Sequence, residues 1–276
     1  MTTPETVFIL AASSDIGREL ACRYLDGGAR VVGTYRNASG LKELSGRAGA
    51  DLLPCDVGRQ DSVRDMLRSY ATLNRPWDLY IASVGMLDPI GLFFSLDFDE
   101  WERSVIVNST AQLRVLHGLY PHRRRDRPCH VAFFAGGGTN KPFTNYSAYC
   151  VSKILLNKMC ELLDDETEDL NVFIIGPGFL PTKIHEPTLA DPDGAGDNYD
   201  KTVQFFGTNG GQASYQDIFE CVNWCVAQGR PVMGGRNLAA VHDPWRSDSE
   251  RLAERLRNDP DAFKLRRHGN RDPVRS

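Results

Sequence analysis

VFILAASSDIG, residues 7–17, is the stretch that decides the fold, because an apolar run ends there in small residues just before a helical pattern. A small-residue turn lets the backbone approach a ligand closely, and the free N–H groups at the start of the next helix favour a phosphate. We expect Asp15 to cap that helix by accepting one of these N–H groups. The stretch predicts a phosphate-binding turn, although an ordinary strand-to-helix connection also has this composition.

Short apolar runs alternate with helical patterns along most of the chain. The runs are Val7–Leu10, Arg30–Tyr35, Leu52–Cys55, Leu79–Ala82, His130–Ala135 and Val172–Ile175, and the helical patterns are Ile16–Leu25, Ser62–Leu73, Asp99–Leu119 and Ala148–Leu163. Runs of this kind suit strands that are buried on both faces of a sheet. The alternation predicts an α/β fold with a doubly wound, mainly parallel sheet and helices on both faces, as in the Rossmann fold.

The domain organisation follows from where this alternation stops. We expect residues 1–242 to form a single Rossmann domain that binds a dinucleotide. Residues 181–213 are rich in Gly, Asp, Asn and Thr and follow the sixth run, so we expect a lid at the edge where such sheets bind ligands. Residues 243–276 are expected to form a C-terminal extension, either a solvated surface segment or an arm that packs on a partner subunit.

Charge and cysteine content argue against several classes of protein. The formal net charge is −4, so the chain lacks the basic excess of a nucleic-acid-binding protein, and the basic run His122–Arg127 is expected to be a solvated loop. No window approaches about 18 apolar residues, so we expect no signal peptide, no membrane contact and a cytoplasmic location. Seven cysteines without a CxxC spacing predict neither a disulfide framework nor a metal site.

Tyr149 and Lys153 are the candidate reactive pair. They are four positions apart in a helical pattern, so both side chains lie on one face. A tyrosine that acts as acid or base at neutral pH must lose about three units from its ordinary pKa, which is roughly 4 kcal/mol. An ammonium about 4–5 Å away supplies roughly that free energy, so we expect Lys153 to lower the pKa of Tyr149.

The ordered motifs between residues 7 and 241 resemble the short-chain dehydrogenase/reductase family. The first turn of that family reads Thr-Gly-x-x-x-Gly-x-Gly, and the residues at its threonine and glycine positions here are Leu10, Ala11, Asp15 and Gly17. The family's catalytic tyrosine and lysine match Tyr149 and Lys153 within SAYCVSK. The resemblance implies a seven-stranded sheet, a nicotinamide cofactor and hydride transfer.

The resemblance also implies a set of cofactor contacts. Besides Tyr149 and Lys153, the matching positions are Ala11, Ser13, Ser14, Asp15, Ile16 and Gly17 in the turn, Asp56 and Val57 near the adenine, Ala82, Ser83 and Gly85 after the fourth strand, and Pro177, Gly178 and Thr182 near the nicotinamide. Asn108 matches the helix-borne catalytic asparagine, which in relatives holds a proton-relay water at a backbone kink.

The chain departs from the family at the catalytic serine that precedes the tyrosine. Strict spacing leads to Gly136, and the spacing of a branch with a Ser-Gly-Gly-Gly loop leads to Ala135. Neither residue has a hydroxyl. Thr139 is the candidate replacement, and the alternative is that the loop has no catalytic hydroxyl. We therefore expect Ala135, Gly136 and Thr139 at the substrate, together with His185 of the lid.

The end of the second strand bears on cofactor choice. Tyr35 stands where NAD-binding relatives have an acidic residue, and Arg36 follows it. An arginine there accommodates the 2′-phosphate of NADP, so NADP(H) is favoured over NAD(H).

These observations together predict an oxidoreductase, a ketone reductase or alcohol dehydrogenase, that acts on a polar small molecule. Sugar-like and phosphorylated compounds are the candidates. We expect a homodimer or homotetramer that pairs through the helices at residues 99–119 and 148–163. Two alternatives stay open. The chain is a redox-silent or regulatory relative that binds the cofactor, or it is an epimerase or dehydratase on the same scaffold.

Overall fold

The computed structural model describes residues 4–139, 141–208 and 213–267. The strands in this part are β1 (Thr6–Leu10), β2 (Arg30–Tyr35), β3 (Ala50–Pro54), β4 (Leu79–Ala82), β5 (Cys129–Phe134), β6 (Leu170–Gly176) and β7 (Asn237–Ala239). The α-helices are α1 (Asp15–Asp26), α2 (Gln60–Leu73), α3 (Phe98–Asn108), α4 (Thr110–Leu119), α5 (Ser147–Glu166), α6 (Glu186–Ala190), α7 (Pro192–Ala195), α8 (Asp197–Gly207), α9 (Tyr215–Gln228), α10 (Arg230–Met233) and α11 (Ser249–Asn258).

The strands form one parallel sheet in the order β3-β2-β1-β4-β5-β6-β7. Val7 of β1 pairs with Val31 on one side and with Leu79 on the other, so the strand order reverses at β1. A crevice forms at the carboxyl ends of the strands at such a reversal, and open α/β sheets bind ligands there. The predicted doubly wound sheet is confirmed, and β7 adds a short strand that none of the six apolar runs marked.

Two separate apolar cores cover the two faces of the sheet. On one face, Tyr24 of α1, Val222 of α9 and Leu256 of α11 are buried against the strands. On the other face, Met66 of α2 and Leu156 of α5 are buried in the same way. Helices on both faces therefore explain why the strands have apolar side chains at successive positions.

The helical pattern at residues 99–119 forms two helices rather than one. α3 ends at Asn108 and α4 begins at Thr110, because Ser109 has φ −138° and ψ −84°, which is outside the helical region. The apolar spacing continues across this break, so periodicity alone predicts a single helix. The kink that the resemblance implies at Asn108 is present.

The expected lid is largely helical. Within residues 181–208 the chain forms a 3₁₀ turn at Lys183–His185 and then α6, α7 and α8. These helices are short, and the Asp191 side chain caps α7 by accepting the N–H of Gly194 at 2.9 Å. The Gly and Asp residues of α7 and α8 are typical of a loop, and α6 has only 5 residues, which is why the helices were not predicted. Part of the predicted lid, residues 209–212, lies outside the described residues.

The C-terminal segment packs on the chain's own core as far as it is described. Trp245 and Leu252 are buried there. The buried guanidinium of Arg236 donates to the carbonyl oxygens of Leu256 at 2.7 Å, Asp259 at 3.0 Å and Ala262 at 3.1 Å. Residues 243–267 therefore pack on the chain's own fold, and contact of this segment with a partner subunit stays a prediction. The basic end, residues 268–276, lies outside the described residues.

The basic run before β5 is largely paired with acids. Arg123 contacts Asp169, and Arg124 and Arg127 both contact Glu5. These pairs neutralise much of the positive charge at the amino edge of the sheet. In the described part of the chain, no helix has the length and apolar character needed to cross a membrane.

Candidate active site

The turn after β1 is closed by small polar side chains. Ser14 caps α1, because its Oγ accepts the N–H of Gly17 at 3.0 Å. Its hydroxyl also donates to Ser83 Oγ at 3.1 Å, and Ser83 donates to the Leu10 carbonyl at 2.8 Å. The expectation that Asp15 caps the helix is wrong, because the Asp15 carboxylate accepts the N–H of Lys183 at 2.9 Å and so contacts the first turn of the lid.

This turn fits the phosphates of a dinucleotide. A Cβ on Gly17 would lie 2.3 Å from the Ala11 carbonyl oxygen and 2.5 Å from Ser83 Oγ, so only glycine permits this approach of helix and turn. Ala11 has φ +63°, the left-handed conformation that glycine adopts most readily. The turn thus keeps the backbone shape of a glycine-rich phosphate site although Ala11 and Asp15 replace two of the three glycines.

The remaining predicted cofactor residues lie along the carboxyl edge of the sheet. Asp56 Oδ1 accepts the N–H of Gly58 at 3.0 Å in the loop after β3, which also contains Val57. Ile16 packs on the core beneath the turn, and the main chain of Ser13 lies against Gly40, where a Cβ would be 2.4 Å from the Ser13 carbonyl oxygen. The other residues at this edge are Ala82 and Gly85 after β4, and Pro177, Gly178 and Thr182 after β6.

Arg36 lies just past the end of β2 at the same edge. It is exposed and pairs with no carboxylate in the part of the chain that the structure describes. Its guanidinium is therefore free to meet an anionic group next to the turn.

Tyr149 and Lys153 lie on one face of α5 and are both buried. The Lys153 ammonium donates to the Val84 carbonyl at 3.3 Å and lies 5.5 Å from the centroid of the Tyr149 ring. Burial raises the pKa of the Tyr149 phenol above its ordinary value, and burial lowers the pKa of Lys153 to about 8. The expected lowering of the pKa of Tyr149 is therefore not found in the protein alone, because desolvation disfavours the charged form of each group.

The glycine loop after β5 lies directly against the Tyr149 hydroxyl. A Cβ on Gly136 would lie 2.2 Å from Tyr149 Oη, so the phenol occupies the space of a side chain at that position. Thr139 donates its hydroxyl to the Gly136 carbonyl at 3.0 Å. Ala135 packs in the core beneath the sheet with Phe133. The structure thus brings Gly136 to Tyr149 and holds Thr139 on the same loop, but it buries Ala135 away in the core.

Asn108 is fully buried at the end of α3. Its Oδ1 accepts the N–H of Met86 at 3.0 Å, and its Nδ2 donates to the Met86 carbonyl at 2.9 Å and to Ser104 Oγ at 3.2 Å. These bonds tie the helix break to the loop after β4, which also contains Val84. Asn108 therefore holds the loop whose carbonyl accepts the Lys153 ammonium.

Tyr149 belongs to a cluster of hydrophobic side chains. The side chains that pack with Tyr149 come from three segments and are Leu87, Ile90, Phe143, Tyr146, Cys150 and Ile184. Ile184 belongs to the lid and lies over Gly85, where a Cβ would be 3.0 Å from Ile184 Cδ1. The Tyr146 hydroxyl is within 2.8 Å of Thr188 Oγ1 of α6, which fixes the lid to the start of α5.

His185 lies in an aromatic cluster of the lid. Its ring stacks on Phe179 with centroids 4.4 Å apart, and its Nε2 is 3.0 Å from the Leu180 carbonyl. Burial lowers the pKa of His185, so a neutral ring that packs on its neighbours is favoured. In the described residues, no group of three or more His, Cys, Asp and Glu side chains is placed to hold a metal ion.

Comparison with known proteins agrees with this geometry. A family model described as short chain dehydrogenase matches residues 5–193. The chain belongs to the short-chain dehydrogenase family. It is 26% identical over 196 residues to a 2,3-dihydro-2,3-dihydroxybenzoate dehydrogenase of Bacillus subtilis, and the match covers 68% of this chain and 74% of that protein.

Two solved structures have the same fold. A short chain dehydrogenase/reductase from Saccharomyces cerevisiae superposes with a TM-score of 0.74 at 18% identity, and the match covers 95% of this chain and 100% of that chain. A short chain dehydrogenase from Shigella flexneri, solved in complex with NADP, superposes with a TM-score of 0.71 at 19% identity, over 86% of this chain and 96% of that chain.

The family membership makes this chain an oxidoreductase, a dehydrogenase or reductase that uses NAD(P)(H) and a small-molecule substrate. Members of the family are generally oligomeric.

Sequence reasoning missed several residues of this short-chain dehydrogenase site. Gln112 donates its side-chain amide to the Asn108 carbonyl at 2.8 Å, and Ser104 contacts the Asn108 amide. Both lie four positions from Asn108, so helical spacing from a known polar residue could have found them. Ile184 and Tyr146 gave no such signal, because their place at the site depends on how the lid folds.

Proposed function

We propose that the protein reduces a carbonyl compound to an alcohol, with Tyr149 as the proton donor and NADP(H) as the preferred cofactor. The observation that carries this proposal is the buried pair on α5. Burial keeps the Tyr149 phenol protonated at neutral pH, which is the form needed to donate a proton to a carbonyl oxygen.

The chain's own residues prepare this proton transfer. A nicotinamide dinucleotide, when bound at the turn after β1, supplies the hydride that reaches the carbonyl carbon. Tyr149 Oη donates its proton to the carbonyl oxygen, and Lys153 is held beside it by the Val84 carbonyl. Asn108 fixes that loop through Met86. The apolar side chains around the phenol exclude water, which strengthens electrostatic interactions within the site.

The preference for NADP(H) rests on Arg36. Its exposed guanidinium follows β2 at the edge that carries the phosphate turn, and it has no carboxylate partner in the described residues. The 2′-phosphate of NADP would provide an anionic partner for the Arg36 guanidinium in a charge-assisted contact.

The substrate expected from the sequence is polar, and sugar-like or phosphorylated compounds remain candidates. The residues that pack around the phenol support a narrower proposal, because Leu87, Phe143 and Ile184 offer no hydrogen-bonding group there. We propose a carbonyl with an apolar or aromatic group attached next to it.

An oligomer is supported by the outer surface of the helices. Val151, Ile154 and Leu162 of α5 and Ile106 of α3 are exposed apolar side chains on neighbouring helices. Pairing of this surface with the same surface of a second copy would bury them, which supports the expected homodimer or homotetramer.

The Tyr149→Phe substitution tests the proposed activity. It removes the proton donor and keeps the buried ring, so oxidation of NADPH with a panel of aryl ketones and sugars should fall at least a hundredfold. The affinity for NADPH, measured by fluorescence titration, should change less than threefold. If Tyr149→Phe keeps more than a tenth of the original rate, Tyr149 is not the proton donor.

The Arg36→Ala substitution tests the cofactor preference. A charge-assisted contact with a phosphate contributes about 1.5–3 kcal/mol, so NADPH should bind roughly ten- to a hundredfold more tightly than NADH, and Arg36→Ala should remove most of this difference. Lys42→Ala is the control, since it removes a nearby exposed charge from the helical turn after β2. Equal affinity of the unchanged protein for both cofactors contradicts the proposal.

A redox-silent relative is the second candidate. The observation that favours it is the absence of a serine hydroxyl at Gly136, where the Tyr149 phenol fills the space. Tight binding of NADPH without oxidation by any carbonyl of the panel supports this candidate over a reductase.

A further inference from the structure

The break between α3 and α4 leaves a carbonyl oxygen without its helical partner. In a continuous helix the Asn108 carbonyl would accept the N–H of Gln112, four residues later. Here the N–H of Gln112 donates to the Ser109 carbonyl at 3.0 Å. The Asn108 carbonyl therefore needs a donor from elsewhere, because it is buried with the rest of the residue.

The side chain of Gln112 supplies that donor. Its Nε2 lies 2.8 Å from the Asn108 carbonyl oxygen and 3.4 Å from the carbonyl oxygens of both Val107 and Val84. The Val84 carbonyl is the group that also accepts the Lys153 ammonium, at 3.3 Å. One amide thus bridges the helix break and the carbonyl that holds the lysine.

Gln112 is an unusual residue for its place. It is fully buried, and the neighbouring buried residues of α4, Ala111 and Val115, are apolar. Its Oε1 is buried and has no hydrogen-bond partner among the residues that the structure describes. Burying an amide oxygen without a hydrogen-bond partner lowers the free energy of unfolding, and an apolar side chain of similar size would avoid this loss. Packing alone therefore gives no reason for a glutamine at this position.

We propose that Gln112 is a positioning residue for Lys153. Its side-chain amide donates to the Asn108 and Val84 carbonyl oxygens. The Lys153 ammonium therefore shares the Val84 carbonyl with Gln112 and stays next to Tyr149. This inference rests on the proposed function only in the role given to Lys153.

The physical consequence is a change at Lys153 when the amide is removed. Without Gln112, the Asn108 carbonyl has lost its donor and the Val84 carbonyl is no longer shared. The Val84 oxygen is then available to the ammonium alone, which favours the charged form of Lys153. Tyr149, the titratable group whose ring lies beside Lys153, stays neutral because burial raises its pKa. The pKa of Lys153 should therefore rise from its lowered value of about 8.

The experiment is an NMR titration of full-length protein labelled with ¹³C at the lysine ε-carbons. The Lys153 signal is assigned by its loss in Lys153→Met, and its pKa is measured in the unchanged protein and in Gln112→Met, which keeps the length of the side chain. We expect the pKa of Lys153 to rise by about one unit in Gln112→Met. The titration needs no substrate, so its outcome does not depend on whether the protein reduces any carbonyl.

Val115→Ala is the matched control, because it weakens the packing of the same helix without removing a polar group. It should lower the melting temperature and leave the pKa of Lys153 unchanged. If Gln112→Met also lowers only the melting temperature, with the pKa of Lys153 within about 0.2 unit of the original, Gln112 has a purely structural role and the proposal is wrong. If Gln112→Met does not fold, Gln112→Leu is titrated in its place, with the same two outcomes.

Discussion

Replacing Gly136 by alanine should displace the proton donor. The added Cβ would lie 2.2 Å from Tyr149 Oη and 2.4 Å from Cε1 and Cζ of the ring, and contacts this short do not persist. The loop cannot easily give way, because the neighbouring residue Ala135 is hydrogen-bonded to Ile175 in the sheet. The phenol must therefore move by about 1 Å to reach an ordinary contact distance.

A displacement of this size has a calculable effect on catalysis. A misplacement of about 1 Å costs about a hundredfold in rate, which is roughly 2.7 kcal/mol of transition-state stabilisation. Inserting one methyl group into a packed region typically lowers the free energy of unfolding by about 1–3 kcal/mol. We expect Gly136→Ala to fold, to bind NADPH normally, and to lose about a hundredfold in kcat/KM.

The assay is the absorbance of NADPH during reduction of the best carbonyl of the panel, with thermal unfolding measured in parallel. Gly137→Ala is the control, because its Cβ would meet the Phe143 ring at 3.3 Å, a contact that a small shift of the ring relieves. It should keep its rate within about threefold. Gly136→Ser should behave like Gly136→Ala despite its hydroxyl. A rate at or above the original in either Gly136 variant refutes the reasoning, because Tyr149 would then have moved without loss.

Three further predictions concern stability and assembly. Burial lowers the pKa of His130 from 6.5 to about 4, so the unfolded state binds a proton at a higher pH than the folded state. The free energy of unfolding, measured by urea titration, should therefore be about 2 kcal/mol lower at pH 5 than at pH 7. His130→Gln should remove most of this pH dependence. Ala11 adopts φ +63°, so Ala11→Gly should raise the free energy of unfolding by about 0.5 kcal/mol, and a decrease would show that the turn is unstrained. Val151→Glu together with Ile154→Glu should give a monomer by light scattering, whereas an unchanged oligomer would place the interface elsewhere.

The fold could be predicted from the sequence because its main elements are long and periodic. The six apolar runs and the turn at residues 11–17 predict a doubly wound, mainly parallel sheet, and the structure supplies its strand order. The break at Ser109 could not be predicted by periodicity, since the apolar spacing continues through it. The helices of the lid were missed because each has 11 residues or fewer, and because α7 and α8 contain Gly and Asp.

The candidate site could be predicted only in part, for a different reason. Tyr149 and Lys153 share a helix, so their spacing in the sequence fixes their common face. The direction of their pKa shifts depends on burial, which sequence spacing does not give, and burial reverses the effect that was expected for Tyr149. Likewise, only the three-dimensional structure shows that the Tyr149 phenol fills the space of a side chain at Gly136.

The departure of this chain from the family pattern at the catalytic serine has a chemical consequence. The family pattern has a serine at the position of Gly136, and here the Tyr149 phenol fills the space of that side chain. The Thr139 hydroxyl does not replace the serine, because it already donates to the Gly136 carbonyl. In the proposed reaction, a developing oxyanion at Tyr149 receives a proton from the phenol but lacks the second fixed donor that the family's serine supplies. Losing one such donor typically costs about 2.7–4 kcal/mol. A substrate with a hydroxyl next to its carbonyl would supply that donor itself and would recover part of this cost. For the proposed reductase, a hydroxy ketone with an apolar substituent would therefore combine the internal donor with a group that packs on Leu87 and Ile184.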